Sequence, residues 1–565
     1  MNISDSSRHL LPGEAVVIEN IDLDTQKKAL VGRYGTFSIN TTGGFQYEPH
    51  ELYRAIAGTT LLKYLLVAAD ADATPTAKKL YYLDTSATPP VPVEIKSAGY
   101  TDPGGMVHAA GDPFTLNATA HLSFATVYDP TMLKNLVFGT NGHDYPFYID
   151  FATGYARFFK MGATSNIKPT VFLPYEWNGH MWAINGQEIH YSDPDNFLLW
   201  NEDSADAGYD LADGYNYQNP PRALIVLRDR LLTFNLDCIG YLDPTNDADN
   251  PYTWKKLTEN AGTLSSRTVV GYQGNVVFID KRPPFVFMFT GQQVVPLDPE
   301  GKMSKGFEQY VDFSKLDTIK ACVWGNNLKI SIPLQSGNPA SSGDARWLAT
   351  CNLARKGQIG YNNFPWTMDT IHANDLAQGQ ESTDYGQCWF TDAVKQTNGY
   401  YFVNRLGDEM TPETWTDTSV TPSVKLPLKY GDFNGIAGNV NSQNITYLLQ
   451  TGWMDSDYLQ KMVTYPLVAT RLVSYPFHLI RFYLDGDWEG TPAITDVLRI
   501  QYRFNGWTDW KNINVLGVKY QQWAPVSGQA YGRMIQFRVY FTSKTARPVL
   551  YKLGVEIRMM AGFMR

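Results

Sequence analysis

The chain has 565 residues, of which 14% are aromatic and 18% charged, with 46 glycines and 32 prolines. This length is sufficient for two or more domains, and a composition rich in aromatic residues and turn formers predicts an all-β protein. The formal net charge of −9 argues against tight, sequence-independent binding of nucleic acid, which requires a basic surface. No apolar run reaches the 18 residues typical of a membrane-spanning helix, so no membrane span is predicted. The N-terminus also lacks the pattern of a secretory signal.

The first 50 residues form a polar segment that becomes strand-like after Leu30. We interpret residues 1–50 as an N-terminal arm that ends in a strand joining the last sheet and closing a ring. Strand-like runs follow at LLKYLLVAAD, HLSFATVYD and NLVFG, but their spacing is irregular. The number of sheets is therefore left open, and five to eight are compatible with the whole chain.

Residues 171–334 carry the clearest repeat. Short apolar and aromatic runs are separated by Asn178-Gly179 and Asn185-Gly186, which are typical of two-residue hairpin turns. Further groups of short strands begin near Ala223, Arg267 and Thr318, at intervals of 44 to 52 residues. Roughly four strands in each such unit predict the blades of a β-propeller, which we assign to residues 51–410.

Residues 411–440 are interpreted as a linker and residues 441–565 as a C-terminal β-sandwich. Strands in this last part are longer and alternate regularly, with Ile535, Phe537 and Val539 on one face. Residues 450–565 carry 14 Lys+Arg and 8 Asp+Glu, whereas the rest of the chain carries 33 and 48. The favoured interpretation is a solvated face, and the alternative is a charge-complementary contact between neighbouring parts or subunits.

Four units of the sequence follow one another in a distinctive order: PGEAVVIENIDLDTQKKALVGRYGTF, WNGHMWAINGQEIHYSDPDNFLLW, LIVLRDRLLTFNLDCIGYL and GRMIQFRVYF. This order resembles that of the propeller proteins of bacteriophage tails, including the hub and nozzle proteins of short podovirus-type tails. The most specific piece is the turn Ser192-Asp193-Pro194 followed by Trp200. The resemblance implies a virion structural protein, assembled in the host cytoplasm, that forms a ring, expected to be a homohexamer. Its implied partners are portal and adaptor proteins and tail fibre or tip proteins, and it implies no catalytic residues and no cofactor.

The resemblance also implies that double-stranded DNA passes through the ring during ejection without specific binding. An acidic wall lets a duplex slide, because each neutralised phosphate strengthens binding through counterion release. We therefore hypothesise that the polar loop at residues 201–221 lines the lumen or forms a gate; an ordinary surface loop is the alternative. The candidate residues are Glu202, Asp203, Asp206, Asp210 and Asp213.

The alternative function is a carbohydrate-active or glycan-binding protein, either a glycosidase or sialidase or a receptor-binding module at a tail tip. No carboxylate pair stands in a recognisable catalytic context, and YSDPDNFLLW lacks the glycine and the spacing of a sialidase Asp box. We therefore predict that the chain is not an enzyme. Trp507, Trp510 and Trp523 are candidates for a sugar-stacking platform, but Trp507 and Trp510 fall on opposite faces of a regular strand. This favours core packing or a subunit interface.

Weaker patterns predict no metal site. His180 and His190 flank a hairpin but lack a third ligand. A second group of oxygen ligands lacks the central glycine and terminal glutamate of a calcium loop: Asp243, Asn246, Asp247 and Asp249. The four cysteines are far apart in sequence, without C-x-x-C spacing, and are predicted to be buried free thiols.

Overall fold

The computed structural model describes most of the chain, and strands dominate it. The described residues are 15–24, 29–40, 44–57, 62–70, 76–84, 91–118, 121–162, 167–212, 218–247, 251–298, 308, 311–335, 346–355, 366–379, 387–396, 399–407, 414–417, 424–427, 432, 444–451, 453–455, 477–493, 496–513, 522–526 and 530–559. Within these ranges no helix has the length and apolar character needed to cross a membrane. Four short strands occupy the N-terminal segment: β1 (Ala15–Glu19), β2 (Ile21–Asp24), β3 (Ala29–Gly32) and β4 (Thr36–Ser38).

Seven small sheets, numbered here as blades 1 to 7, follow one another along the chain. Blades 1 and 2 and the segment between them contain β5 (Pro49–Ala57), β6 (Leu62–Asp70), β7 (Ala77–Asp84), β8 (Pro92–Glu94), β9 (Lys96–Thr101), β10 (Val107–Pro113), β11 (Thr115–Asn117), β12 (Ser123–Asp129), β13 (Lys134–Thr140), β14 (Phe147–Asp150) and β15 (Tyr155–Phe158). Blade 1 is built on β5, β6 and β7, with β8 and β11 both pairing with β7. Blade 2 is built on β12 to β15.

Blades 3 to 6 are antiparallel meanders of four consecutive strands. They contain β16 (Val171–Trp177), β17 (His180–Asn185), β18 (Glu188–Tyr191) and β19 (Gly208–Leu211); β20 (Pro221–Leu227), β21 (Arg230–Asn235), β22 (Cys238–Pro244) and β23 (Tyr252–Glu259); β24 (Val270–Tyr272), β25 (Asn275–Ile279), β26 (Val286–Phe289) and β27 (Val294–Pro296); and β28 (Lys320–Trp324), β29 (Asn327–Pro333), β30 (Arg346–Asn352) and β31 (Trp366–Asp369). Blade 7 contains β32 (Ala373–Gly379), β33 (Gln387–Asp392) and β34 (Val403–Leu406). Short 3-10 turns occur at Asn201–Asp203, Ser266–Thr268, Phe313–Thr318 and Leu353–Arg355.

The blades form a closed ring. The first strand of each blade contacts the first strand of the next, except that blades 4 and 5 meet through the turn Ser266–Thr268, and β32 of blade 7 contacts β5 of blade 1. The described residues therefore form a seven-bladed β-propeller. This confirms the predicted all-β propeller and resolves the number of blades that the sequence left open.

The ring is held together by apolar clusters between successive blades. Each of the seven interfaces has its own cluster, because alternate residues of a strand face the two neighbouring blades. In β17, Met181 and Ala183 pack towards blade 2, whereas Trp182 and Ile184 pack towards blade 4. Strands buried on both faces explain why the sequence reads as short continuous apolar runs.

The N-terminal segment supplies the outer strand of blade 7. In this closure β4 pairs antiparallel with β34, with Ser38 opposite Asn404. Ile39, which follows β4, joins the cluster between blades 7 and 1. The first and last parts of the propeller sequence are thereby joined in one sheet.

A hairpin inserted in blade 1 extends blade 2. Strand β9 pairs in parallel with β15, and β10 pairs with β9 and forms the free edge of the resulting six-stranded sheet. Met106 and Val107, at the start of β10, are 66% and 76% exposed. This out-of-order strand pairing accounts for the irregular spacing of the sequence before residue 171.

Two sheets occupy the C-terminal region, and both include N-terminal strands. The strands of this region are β35 (Thr414–Asp417) and β36 (Val424–Pro427), which form a hairpin within the predicted linker, then β37 (Ile445–Thr451), β38 (Met454–Asp455), β39 (Phe477–Gly490), β40 (Val497–Phe504), β41 (Lys511–Ile513), β42 (Gln522–Pro525), β43 (Tyr531–Gly532), β44 (Met534–Ser543) and β45 (Ala546–Met559). One sheet has the order β1-β37-β44-β40-β41, and the other has the order β2-β3-β45-β39-β42. We call these two sheets the C-terminal unit.

One apolar cluster draws on both sheets of the C-terminal unit. In it the ring of Phe482 on β39 lies 5.0 Å from that of Phe537 on β44. Ile21 on β2 belongs to the same cluster. The β-sandwich over residues 441–565 stays a prediction, since the unit also uses strands from the N-terminal segment.

The propeller and the C-terminal unit share a sheet. Strand β1 pairs in parallel with β31 of blade 6, with Glu19 opposite Met368, and antiparallel with β37. Beside this junction the buried Arg33 guanidinium donates to both carboxylate oxygens of Asp432, at 2.8 and 2.5 Å, and to the Asn20 side chain at 2.8 Å. The N-terminal segment thus ties the two parts of the chain together.

Asp392, at the end of β33, is a buried acid whose hydrogen-bond donors among the described residues are neutral groups. Burial raises the pKa of its carboxyl to about 7, although the Phe402 amide donates to it at 3.0 Å and the Asn404 side chain also donates to it. The carboxyl is therefore protonated in the folded state at pH values where it is ionised in the unfolded chain.

Replacing Asp392 with asparagine is expected to flatten the pH dependence of stability between about pH 4 and 7. The unfolded carboxyl ionises near 3.8 and the folded one near 7, so the folded state binds the extra proton in between. The contribution of this group is therefore largest at acidic pH and is lost as the pH rises, by up to about 1.4 kcal/mol per pH unit. Urea unfolding of both proteins at several pH values measures the slope, and equal slopes would contradict this expectation.

Candidate functional site at the propeller hub

Three charged side chains meet at the centre of the ring. Arg267, in the turn that precedes blade 5, donates to Glu51 on β5 of blade 1 and, at 3.2 Å, to Asp375 on β32 of blade 7. All three side chains are 5% exposed or less. One guanidinium from blade 5 thus joins the two blades at which the ring closes.

Further groups satisfy the two hub carboxylates. The Leu52 amide donates to Asp375 Oδ2 at 2.6 Å, and Lys320 Nζ lies 3.9 Å from Asp375 Oδ1. The His121 ring, which precedes blade 2, places Nδ1 2.9 Å from Glu51 Oε1. The hub therefore combines groups from blades 1, 2, 5, 6 and 7 in one buried network.

The electrostatics of the network keep Glu51 ionised. Burial opposes its ionisation, but the Arg267 charge and the His121 hydrogen bond outweigh burial and hold its pKa well below the ordinary value. Burial also lowers the pKa of the neighbouring Lys78, while Glu51 opposes that change. A glycosidase requires one carboxyl with a raised pKa as general acid, and Glu51 is shifted in the opposite direction.

A pocket of about 200 Å³ opens beside the network, at the face where the first strands of the blades begin. Its polar lining includes two imidazoles and three cationic side chains besides one acid: His50, His121, Arg267, Lys315, Arg346 and Glu48. Several of these groups have partners, such as Asp70 for His50 at 3.2 Å and Thr318 for Arg346 at 2.7 Å. The pocket is therefore polar and largely committed to internal contacts.

Sequence reasoning did not find the hub. Arg267 is 216 residues from Glu51 and 108 residues from Asp375, and no local motif connects them. One sequence feature could have indicated the hub, namely a charged residue in or just before the first strand of a blade. The first strand of each blade lies beside the central channel of a propeller, and side chains near its start point towards that channel. This applies to Glu51 in PHELYRAIA and to Asp375 in ANDLAQG.

The acidic residues proposed for a lumen or gate lie away from the hub. Asp203 ends a 3-10 turn and accepts from the Gly162 amide at 3.1 Å, Asp206 is exposed, and Asp210 lies on β19, the outer strand of blade 3. Burial raises the pKa of Asp210. The side chain of Glu202 and all of Asp213 lie outside the described residues. Asp210 therefore belongs to the outer edge of the propeller, and the place of the loop in a ring of copies stays a prediction.

The other sequence candidates have local partners. His180 Nδ1 lies 2.6 Å from the Ser192 carbonyl oxygen, whereas His190 lies 2.9 Å from both Asn201 and Glu188. In the group of oxygen ligands that the sequence analysis set aside as a calcium loop, Asp243 pairs with Lys255, and Asp249 lies outside the described residues. Across the described part of the chain, no three His, Cys, Asp or Glu side chains group as metal ligands.

The turn that carries the most specific part of the resemblance is held by hydrogen bonds. Asp193 Oδ1 accepts from the amides of Asp195 and Asn196, and Ser192 forms a β-bridge with the buried Trp200. It therefore fixes the path between β18 and β19. The four cysteines are buried free thiols, as predicted.

Trp507 and Trp510 lie on opposite sides of the sheet, although both fall in the segment between β40 and β41 and not in the regular strand that was predicted. Trp507 packs against the rings of Tyr502 and Phe504 on the core side, whereas Trp510 contacts Arg503 and Arg538. The side chain of Trp523 lies outside the described residues. Trp507 and Trp510 therefore do not lie side by side in one sugar-stacking platform.

The closed ring of blades around a buried charge network defines a β-propeller protein. No family model matches the chain, and no curated protein matches it. Two solved structures are similar to it: "YCF48 bound to D1 peptide", with 8% identity and a TM-score of 0.36, covering 70% of this chain and 100% of that one, and "Crystal Structure of Mitotic Checkpoint Complex", with 10% identity and a TM-score of 0.35, covering 71% and 98%. Both TM-scores are below 0.5, and neither similarity bears on function.

Proposed function

We propose that this chain is a structural subunit of a bacteriophage tail, a hub or nozzle protein that forms a homohexameric ring around the passage for DNA ejection. Its function is geometric: identical rigid bodies contact one another through their sides, and the two ends of the ring dock portal-side adaptors and fibre or tip proteins. The order of the sequence units described above supports the resemblance on which this proposal rests.

The observation that carries the proposal is the continuous sheet that joins the propeller to the C-terminal unit through β1. A ring of fixed diameter requires subunits whose parts hold one orientation. The shared sheet and the buried Arg33 contacts meet this requirement. The hub also favours a scaffold over a catalyst, because Arg267 pairs with both of its acids.

The oligomeric state of the purified full chain tests this proposal. We expect size-exclusion chromatography with multi-angle light scattering at micromolar concentration to show six copies of the 63.6-kDa chain, and electron microscopy to show a six-fold ring with an opening wide enough for a DNA duplex. A monomer at these concentrations, or a monomer that hydrolyses a glycan, would contradict the proposal.

A map of the ring also tests the position of the acidic loop. We expect Asp203, Asp206 and Asp210 to face the central passage, where their charge repels the phosphate backbone and keeps DNA mobile. If all three side chains face the outer solvent, the lumen hypothesis is wrong while the ring itself is unaffected.

A further inference from the structure

Two arginines and two tryptophans are stacked on the outer face of the sheet that contains β40, β41 and β44. The Arg503 guanidinium carbon lies 4.7 Å from the centre of the Trp510 ring and 5.2 Å from that of Trp453. The Arg538 guanidinium carbon lies 4.6 Å from the same Trp510 ring. We call these four residues the Arg–Trp array. All four are partly exposed, so the array is accessible from solvent.

Glutamine side chains fix the orientation of both guanidinium groups. Arg503 Nε donates to Gln536 Oε1 at 2.9 Å, and Arg538 donates through Nε and Nη2 to Gln501 Oε1 at 2.9 and 2.5 Å. The glutamines are themselves held, because Gln536 donates to the Thr451 carbonyl oxygen and Gln501 to Asn512, both at 2.8 Å. The arginines are therefore preorganised, with little side-chain entropy left to lose on binding.

Among the described residues, no acid pairs with the arginines of the array. In the described part of the chain, neither Arg503 nor Arg538 forms an ion pair with a carboxylate, and both hydrogen-bond to neutral amides. Burial and the charge of Arg503 both lower the pKa of Arg538. Two cations held at one indole ring raise the energy of the free protein, and an anion bound between them would relieve this repulsion.

Most of the other outward positions of these strands carry polar side chains. Register places Arg499, Asn512, Tyr540 and Thr542 on the same face, together with the apolar Met534. Guanidinium groups recognise carboxylates and sulfates through paired hydrogen bonds, and amides and hydroxyls complement sugar hydroxyls. We propose that the Arg–Trp array is a binding site for an acidic saccharide, with Arg503 and Arg538 contacting its carboxylate or sulfate groups.

An acidic saccharide fits this face better than other anionic partners. Non-specific nucleic-acid binding draws on many phosphate contacts and a basic protein, whereas this chain has a net charge of −9. Binding at this face also does not require the proposed ring.

Calorimetric titration of the full chain at low ionic strength tests the site. The probes are oligogalacturonate and sialyllactose as carboxylated saccharides, a heparin fragment as a sulfated one, and a neutral galactose oligomer of matched length. We expect at least one acidic probe to bind at least tenfold more tightly than the neutral one. R503Q/R538Q is expected to weaken that binding at least tenfold and to retain the wild-type circular dichroism spectrum. Binding of the carboxylated or of the sulfated probes identifies the acidic group that is recognised.

R481Q is the matched control, because Arg481 is an exposed arginine on the other sheet that pairs with Glu556; it should bind as the wild type does. If the double variant does not fold, the single variant R538Q is measured instead. The absence of binding to every acidic probe, or equal binding by the arginine variants, overturns the proposal and makes the array a structural feature. Loss of self-association in R503Q/R538Q without an effect on saccharide binding, or tighter binding of an oligonucleotide than of any saccharide, also overturns it.

Discussion

Replacing Arg267 with methionine is expected to lower the free energy of unfolding by about 3–5 kcal/mol, the usual cost of breaking a buried ion pair by removing one partner. The substitution keeps most of the side-chain volume but removes the charge. Glu51 and Asp375, which are 4% and 1% exposed, then remain buried close together without their shared cation. Glu51 belongs to blade 1 and Asp375 to blade 7, so their repulsion destabilises the contact between the first and last blades of the ring.

Denaturant unfolding of R267M measures this loss, and R222M is its control. Arg222 lies on β20 of blade 4 and is exposed, so its replacement should change stability by less than about 0.5 kcal/mol. The free energy of unfolding of R267K should lie between those of R267M and R222M. Lysine restores the positive charge but cannot contact both acids through a planar fork. Equal stability of R267M and the wild type would show that the hub network does not hold the ring.

Replacing Arg33 with methionine is expected to cost about 3 kcal/mol and to separate the unfolding of the C-terminal unit from that of the propeller. Arg33 is 5% exposed and bridges Asn20, Asp432 and the Tyr34 carbonyl oxygen. Its loss also removes a cation 4.0 Å from the buried Asp369, although Lys329 remains 3.4 Å from that acid. The remaining lysine is the reason for expecting a smaller loss than at the hub.

Differential scanning calorimetry measures both effects of R33M. We expect one transition for the wild type and two for the variant, the first at lower temperature. R481M is the control, because Arg481 and Glu556 form an exposed pair in the same unit, and such pairs contribute less than about 1 kcal/mol. A single transition at the wild-type temperature in R33M would show that β1 alone couples the two parts.

Blades 3 to 6 could be predicted from the sequence because each is a local meander. The predicted Asn178-Gly179 turn joins β16 to β17, whereas Gly186 and Gln187 join β17 to β18, one residue later than predicted, because Asn185 pairs with Glu188. Hairpin chemistry and the apolar runs act over a few residues in both cases. Blades 1 and 2 were not resolved, because the β9–β10 hairpin leaves blade 1 and pairs with blade 2. Strand pairing of this kind depends on the assembled ring and has no local signature.

The N-terminal arm shows the same limit. The sequence predicted one ring-closing arm over residues 1–50. In the structure only β4 joins blade 7, whereas β1, β2 and β3 belong to the C-terminal unit. The hub was missed for a related reason: Glu51, Arg267 and Asp375 come together only when the ring closes. Trp507 and Trp510 do lie on opposite sides of the sheet, but the predicted reason, alternation along a regular strand, is wrong, because both follow the end of β40 and precede β41.

The pairing of Leu30 with Leu550, where β3 meets β45, has a consequence during synthesis. At about 5–20 residues per second, β3 leaves the ribosome roughly half a minute to two minutes before its partner exists. The second sheet of the C-terminal unit therefore cannot be completed until β45 has been synthesised. Any shorter product that lacks β45 keeps an unfilled strand position beside β3.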